Sequence, residues 1–411
     1  MRGYKLWQMT ARNVLRNKRR ALLTQVVIVF GVTTILFSSA FLESMGNNWR
    51  NALIDADLGH FQLMREDHRT QLASFPVDKP VSHLKELIAK LRQMPHITGV
   101  MPRISFTGLV GTGQETAPFY ARAIALEDVR ETLPRIDGAL VAGTSLRPEH
   151  PGGALIGEGL AKLLHVKTGD HLLLTAYDRY RAMNAVDVTV TGILRIPDEM
   201  SNNQLLITDY TTGATLIGYE DEATELVVRT DLPDALEPLL TDVKTSLGGR
   251  ESLLPVPWTE LAGSFNQAAR MFAFTTAVIS GILLVVVLVT LTNAILATVF
   301  ERRSEIGMLT AMGTPRWYVM LLFLAESLIT GLLGIIVGTL IHAVLMAYTQ
   351  ANGIRIPPPP GAIEAIVLHP EFSWTAVFST GLILLIVAAV AALYPARFAA
   401  KLDPVVAIYA R

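Results

Sequence analysis

The chain has 411 residues, 51% of them hydrophobic, and its mean hydropathy is positive, which is unusual for a soluble domain. A formal net charge of −1 gives no electrostatic basis for binding nucleic acid. The absence of cysteine excludes disulfides, thiolate metal sites, cysteine nucleophiles and an acylated lipoprotein N-terminus.

Four apolar runs are each long enough to cross a hydrocarbon core of about 30 Å. They predict a membrane α-helical protein with four transmembrane helices and a large extracytoplasmic α+β domain inserted between the first and second helices. The second run is longer than a span requires, so we expect it to tilt or to continue beyond the membrane as helix. The predicted spans are residues 21–42, 271–300, 317–348 and 372–396.

The placement of lysine and arginine predicts the orientation of these spans. Seven basic residues and no acidic residue precede the first span, and the 301–316 loop and the 397–411 tail hold three basic residues each. Both termini and the loop are therefore predicted to be cytoplasmic, in a bacterial inner membrane, with residues 1–20 forming an amphipathic elbow helix. A cleaved signal peptide is the alternative interpretation of the N-terminus, but three further spans follow it.

Residues 43–270 have the pattern of an ordinary α+β domain in the periplasm. Apolar residues at helical spacing predict helices over 81–94, 156–166 and 232–247. Strand patterns cover 171–176 and 186–190. The loop 349–371, which contains four consecutive prolines, is predicted to lie on the same outer side of the membrane.

Catalytic motifs are absent from the sequence. There is no G-x-x-x-x-G-K-[ST] loop for ATP, no H-E-x-x-H pair for zinc and no G-x-S-x-G nucleophile motif. The nine histidines are scattered and form no ligand set. We therefore predict no catalytic residue, no metal site and no cofactor on this chain.

The segment 301–313, which reads ERRSEIGMLTAMG, is charged at its start and helical in pattern, and Gly313-Thr314-Pro315 ends it before the third span. One interpretation is a solvated loop. The segment also has an apolar face with no lipid to meet, and such a face needs a protein partner. The residues assigned to this candidate site are Glu301, Arg302, Arg303, Glu305, Ile306, Met308, Leu309, Met312 and Gly313.

The stretch ERRSEIGMLTAMGTPRWYVMLLFLAESLITGLLG resembles the signature of the ABC transporter permeases that include macrolide-exporter, lipoprotein-releasing and cell-division permeases. RNVLRNKRRALLTQ, GALIGEGLAKLLHVKTGDHLLLTA and YPARFAAKLDPVVAI resemble the basic elbow, external helix–turn–strand and C-terminal tail of that superfamily. The segment LGHFQLMRED favours its stand-alone, lipoprotein-release-like members. Permeases of the macrolide-exporter type carry their ATPase on the same chain and this chain does not, so the resemblance implies a separate ATPase subunit.

The resemblance also implies an assembly of two permease chains, as a homodimer or a heterodimer, with two ATPase subunits that bind ATP and magnesium. Segment 301–313 would be the coupling helix that carries ATPase closure to the spans and moves the external domains, a mechanism called mechanotransmission. The expected activity is extraction of a lipoprotein or lipid from the membrane towards a periplasmic carrier. A tripartite efflux permease with an adaptor, and a non-transporting signal transducer that regulates a cell-wall hydrolase, are the alternatives.

The third span carries one carboxylate and a glycine pair. An unpaired carboxylate in lipid is costly, so Glu326 is expected to face protein or water, either as a structural anchor or as part of coupling or substrate release. Gly334 and Gly338 form a G-x-x-x-G pattern, which permits close helix approach within the chain or at a seam between two copies. His342 is expected near the membrane interface.

Overall fold

The computed structural model describes residues 18–66, 77–149, 151–195, 202–247, 253–356 and 366–402. The chain divides into two compact units. We call Met1–Gly46, Ala268–Ile354 and Val367–Arg411 the helical unit, and Asn47–Gln267 with Arg355–Ile366 the sheet unit. Most of the predicted elbow helix, the four prolines of the outer loop and the tail beyond residue 402 lie outside the described residues.

The helices are listed here in chain order. They are α1 (Lys18–Leu53), α2 (Leu84–Arg92), α3 (Val129–Thr132), α4 (Glu158–Leu163), α5 (Tyr210–Ile217), α6 (Leu236–Ser246), α7 (Trp258–Leu261), α8 (Gly263–Glu301), α9 (Arg303–Ala311), α10 (Arg316–Asn352) and α11 (Trp374–Ala400). A π-helical turn, Ile54–Leu58, continues α1. Short 3-10 helices cover Ile136–Ala139 and Pro233–Ala235.

The strands are short and, with four exceptions, belong to one sheet. They are β1 (Phe61–Arg65), β2 (Val81–Ser82), β3 (Ile97–Gly111), β4 (Thr116–Ile124), β5 (Leu140–Gly143), β6 (Gly153–Gly157), β7 (His171–Tyr177), β8 (Met183–Leu194), β9 (Leu205–Asp209), β10 (Glu222–Ala223), β11 (Glu225–Thr230), β12 (Leu253–Pro257), β13 (Ile354–Ile356) and β14 (Ile366–Leu368). β2 pairs with β10 and β13 with β14, in two separate two-stranded sheets.

Four helices are long and apolar enough to cross a membrane, judged by length and composition within the described residues: α1 with its π-helical turn, α8, α10 and α11. Each continues beyond its predicted apolar run at one end or both. α11 begins at Trp374 rather than at residue 372, because Ser373 Oγ accepts a hydrogen bond from the Ala376 amide and caps the helix. Which part of each helix lies in the membrane stays a prediction.

Small residues let the long helices of the helical unit approach one another. A Cβ atom added to Gly31 of α1 would lie 3.1 Å from Val287 of α8, and one added to Gly331 of α10 would lie 3.1 Å from the Cβ of Ala388 of α11. Ser327 Oγ donates a hydrogen bond of 2.7 Å to the Ala388 carbonyl oxygen. These contacts join α1 to α8 and α10 to α11 by close packing, with a hydrogen bond from a side chain to the backbone in the second pair.

The large sheet of the sheet unit has the order β12-β1-β11-β3-β4-β9-β6-β8-β5, and β7 pairs with both β3 and β8. The β4–β9 and β6–β8 pairs are parallel and the remaining pairs are antiparallel. Helices cover the sheet: Leu87 of α2 and Val243 of α6 share a buried cluster with Phe61 and Val228 of the sheet. This mixed sheet with packed helices agrees with the predicted α+β class.

The predicted strands are present as β7 and β8, whereas the three predicted helices begin later than expected. Val81 pairs with Ala223 in the β2–β10 sheet, so α2 starts only at Leu84. Ile156 lies in β6 and pairs with Leu206, so α4 starts only at Glu158. In both cases a buried strand ends just before the helix begins, and the apolar residues of that strand also fit the helical spacing. The third, α6, follows a 3-10 turn.

Candidate functional site

Segment 301–313 contains a short helix between two long ones. α8 ends at Glu301, α9 covers Arg303–Ala311, and Gly313 follows with a φ of +87°. The Thr314 amide donates a hydrogen bond of 3.1 Å to the Leu309 carbonyl oxygen, which closes the end of α9. A left-handed φ strains residues with a Cβ atom, so a glycine fits this position.

The apolar residues of α9 divide between two faces. Ile306 is 5% exposed and lies in a buried cluster with Phe323 of α10. Met308, Leu309 and Met312 are 50%, 37% and 75% exposed, and we call them the exposed face. Met308 and Met312 are four residues apart on one side of the helix, and Ile306 is turned about 160° away from Met308. The prediction of a single four-residue apolar face is therefore wrong for Ile306, which belongs to the core of its own chain.

Arg302 forms ion pairs at the charged start of the segment. Its Nε donates a hydrogen bond of 2.8 Å to Glu305 Oε2, three residues further on. Its Nη1 lies 4.0 Å from Oε2 of Glu326, the carboxylate of α10 that the sequence singled out. The remaining charged residues are Glu301, which is exposed, and Arg303, which is half-buried. Sequence reasoning missed the pairing of Arg302 with Glu326, because residue order does not show which loop cation reaches the span.

The ion pair between Arg302 and Glu326 is incompletely bonded. The two side chains are only 19% and 13% exposed. Nη1 of Arg302 and Oε2 of Glu326 are buried, and neither makes a hydrogen bond within the described part of the chain. Charge-assisted hydrogen bonds between such groups are about 2.7–2.9 Å long, so a separation of 4.0 Å leaves a gap. Buried polar atoms are usually bonded, so two facing unbonded atoms of opposite charge are an unusual arrangement.

Gly334 and Gly338 pack against α1 of the same chain. A Cβ atom on Gly334 would lie 2.3 Å from Ile28 Cγ2, and one on Gly338 would lie 2.7 Å from Val32 Cβ. Thr33 Oγ1 donates a hydrogen bond of 3.2 Å to the Gly338 carbonyl oxygen. These contacts are helix packing within the chain, and a role at a seam between two copies stays a prediction.

His342 lies on α10, four residues beyond Gly338. We expect it near the membrane interface, and its depth in the membrane stays a prediction. Within the chain it is 2% exposed, and its ring centroid lies 5.6 Å from that of Phe372.

A second ionic cluster, in the sheet unit, was not predicted. Arg103 of β3 donates hydrogen bonds of 2.6 Å to Glu225 Oε1 of β11 and of 2.6 Å to the Asp57 carbonyl oxygen. Ser105 Oγ donates a further hydrogen bond of 2.5 Å to the same Glu225 oxygen. Burial alone would raise the pKa of Glu225, but the charge of Arg103 and these hydrogen bonds hold that pKa below its ordinary value.

The π-helical turn after α1 supplies the other acids of this cluster. Asp57 forms ion pairs with Arg103 and with Arg122 of β4. Asp55 pairs with Arg229 of β11 at 2.8 Å and with Arg135 at 3.6 Å. Burial lowers the pKa of Arg122 to about 10, which leaves it charged at neutral pH. The end of α1 is thus fixed to several strands of the sheet unit by buried or partly buried charge.

No group of three or more histidine, aspartate or glutamate side chains in the described ranges is close enough to hold a metal ion. The buried acids Glu225 and Asp209 are occupied by hydrogen bonds from Ser105 and from the Thr212 amide. What the arrangement provides is packing, ion pairing and an exposed apolar helix face.

Two family models match the sequence: a MacB-like periplasmic core domain over residues 21–246, more than half of the chain, and an FtsX-like permease C-terminal region over residues 277–404. The lipoprotein-releasing system transmembrane protein LolE of Haemophilus influenzae is 22% identical, over 79% of this chain and 80% of its own. An uncharacterized ABC transporter permease of Methanocaldococcus jannaschii is 23% identical, over 96% of this chain and 95% of its own. The macrolide export ATP-binding/permease protein MacB of Marinobacter nauticus is 24% identical over 98% of this chain, which spans 61% of that protein.

Proposed function

Because this chain belongs to the family of ABC transporter permeases with a MacB-like periplasmic core domain and an FtsX-like permease region, we propose that it is a membrane subunit driven by a separate ATPase chain. The observation that carries the proposal is the exposed face of α9, Met308, Leu309 and Met312, between two long apolar helices. An amphipathic helix of this kind binds by laying its apolar residues into a groove of a partner protein. No G-x-x-x-x-G-K-[ST] loop occurs in the 411 residues, which supports an ATPase outside them.

The proposed mechanism is mechanotransmission. Movement of the ATPase displaces α9 at its exposed face. Ile306 transmits this displacement to α10 through the buried cluster that contains Phe323. α1 and α8 are continuous helices whose residues belong partly to the helical unit and partly to the sheet unit. A displacement of these helices therefore reaches the residues of the sheet unit through the chain itself, and no substrate needs to pass between the helices.

The proposed assembly contains two permease chains and two ATPase subunits in a bacterial inner membrane. The basic residues before the first span and in the 301–316 loop support cytoplasmic termini and a periplasmic sheet unit. Reporter fusions test this arrangement. A periplasm-active reporter after residue 150 and cytoplasm-active reporters after residues 308 and 411 are expected to work, whereas a cytoplasmic residue 150 would contradict the proposal.

The proposed cargo is a lipoprotein or lipid that is extracted from the membrane. Similarity to a protein named as part of a lipoprotein-releasing system, over 80% of that protein, supports this class of cargo. Affinity purification of the full chain in mild detergent, followed by identification of bound lipid, lipoprotein and protein subunits, tests it. Recovery of an efflux adaptor or a cell-wall hydrolase without lipid cargo would replace it with one of the two alternative functions.

The coupling role is tested by Leu309→Asp. The substitution places an unpaired charge on the exposed face, which would have to be desolvated in the groove of the ATPase, and loss of a central anchor typically costs about 2 kcal/mol or more of binding. We expect the ATPase to be lost on co-purification. The matched control is Leu163→Asp in the sheet unit, since Leu163 is also an exposed leucine on a helix, and it should retain the ATPase.

Arg303→Ala provides a graded comparison at the edge of the same surface. Charges at the rim of an interface mainly affect the rate of association, so this variant should weaken co-purification less than Leu309→Asp. If Leu309→Asp keeps full ATPase association and ATP-driven function, α9 is not the coupling element.

A further inference from the structure

We propose that Arg302 is a positioning residue that holds α9 against α10 by pairing with Glu326. The inference adds to the proposed function and rests on it, because it takes α9 as the helix that the ATPase moves. The contacts themselves lie within the helical unit and require no partner to be measured.

Arg302 lies at the corner where three helices meet. Its amide donates a hydrogen bond of 3.0 Å to the Thr298 carbonyl oxygen of α8, and its carbonyl oxygen accepts one of 3.0 Å from the Ile306 amide of α9. Its side chain bonds Glu305 and faces Glu326 of α10. A single residue thus contacts the end of one long helix, the first turn of the short helix and the side of the next long helix.

The low exposure of Arg302 and Glu326 strengthens their attraction, and this attraction affects where α9 lies against α10. Charges removed from water attract each other more strongly than exposed ones, because the surrounding dielectric is lower. Removing Glu326 leaves Arg302 with Glu305 as its remaining partner, so the guanidinium loses the charge that draws it towards α10. Because Arg302 is also bonded to the backbone of α9, loss of Glu326 should release the first turn of that helix from α10.

The separation between the two side chains allows the geometry of the pair to change. With 4.0 Å between Arg302 Nη1 and Glu326 Oε2, and no hydrogen bond on either atom within the described residues, a shift of about 1 Å would complete a hydrogen bond. A small displacement of α9 in the other direction would separate the charges. The separation of the two charges therefore depends on the position of α9 relative to α10. A fully bonded pair would resist a displacement of α9.

The test uses cysteine reporters, because the natural chain contains no cysteine. Ile306→Cys places a thiol on the buried side of α9, and Met312→Cys places one on its exposed side. The rate of labelling by a charged maleimide is measured on the full chain in detergent. Glu326→Gln and Arg302→Gln should each raise the rate at position 306 about tenfold, by increasing local opening, and leave position 312 unchanged.

The controls separate positioning from a general effect of charge or folding. Arg316→Gln removes an exposed cation from the same loop and should not change either rate. The exchange variant with Arg302→Glu and Glu326→Arg should return position 306 towards the slow rate, because the attraction is restored. The proposal is overturned by unchanged rates at 306, by an equal rise at 312, by the same rise in Arg316→Gln, or by no rescue in the exchange variant. None of these results requires the ATPase, so failure here leaves the Leu309→Asp test of coupling intact.

Discussion

The sheet unit holds a buried arginine–glutamate pair and the helical unit a partly buried one, and the two pairs are bonded differently. Arg103 and Glu225 are joined at 2.6 Å, and further hydrogen bonds from neighbours occupy the carboxylate. Arg302 and Glu326 lie 4.0 Å apart, with their facing atoms unbonded within the described residues. A completely bonded buried pair fixes one geometry, whereas an incompletely bonded pair leaves neighbouring geometries accessible. We therefore expect the first pair to restrict motion in the sheet unit more than the second restricts motion in the helical unit.

The largest expected effect is on the completely bonded pair. Glu225→Leu removes the buried carboxylate that both Arg103 and Ser105 bond, and Arg103, which is 4% exposed, keeps only its contacts with Asp57. Breaking a buried pair from one side costs about 3–5 kcal/mol of unfolding free energy. Pulse proteolysis of the full chain across a urea series measures this at the sheet unit. A cost below about 1 kcal/mol, which is typical of exposed pairs, would remove the distinction between the two units.

The helical unit is expected to depend on close packing more than on its ion pair. Gly338→Ala adds a methyl group 2.7 Å from Val32 Cβ, and overpacking of this kind costs about 1–3 kcal/mol. Gly281→Ala in α8 is the matched control, because no atom lies within 4 Å of its added Cβ. Thermal unfolding in detergent should show a loss for the first variant and none for the second. Equal behaviour would mean that α1 and α10 do not depend on their close contact.

Glu326→Leu is expected to change stability little and function strongly. Arg302 keeps its hydrogen bond to Glu305 in this variant, so we expect a cost of about 1 kcal/mol or less. The chain should be expressed and should assemble with its ATPase, while ATP-driven function falls because α9 is no longer held to α10. Thermal unfolding and ATP-driven function are measured on the same preparation. Normal function would remove Glu326 from the candidate site, and a loss of folding would make it a structural anchor.

The sequence predicted well the features that depend on local composition. The four long helices follow from uncharged length alone, and the short α9 follows from its flanking charges and from Gly313. The split of its apolar face was also open to prediction, because Met308 and Met312 share an i, i+4 spacing that Ile306 does not. The ion pairs were not predictable, since Arg103 and Glu225 are 122 residues apart in the chain. Only the pairing of β3 with β11 brings them together.

A third pair, on the surface of the sheet unit, separates the effect of hydrogen bonding from that of burial. Glu158 receives two hydrogen bonds from Arg195, of 2.5 and 2.9 Å, and pairs with Lys162 at 3.0 Å. These hydrogen bonds lower the pKa of Glu158 from 4.5 to about 2. Because the pKa in the folded state is the lower one, the pair stabilises the fold above about pH 4.5, and this contribution is lost as the pH falls towards 2.

This surface pair is expected to give the smallest effect. Glu158 and Arg195 are more exposed than Arg103 and Glu225, so water screens their attraction and the contribution should be small. Glu158→Gln should reduce stability slightly at neutral pH and flatten the loss of stability between about pH 5 and pH 2. Urea unfolding across this pH range measures both effects, with Glu237→Gln, an exposed glutamate of α6, as the control. If Glu158→Gln lowered the unfolding free energy at neutral pH as much as Glu225→Leu does, good hydrogen bonding alone, without burial, would be enough to make a pair rigid. The contrast between the two units would then rest on bond geometry only.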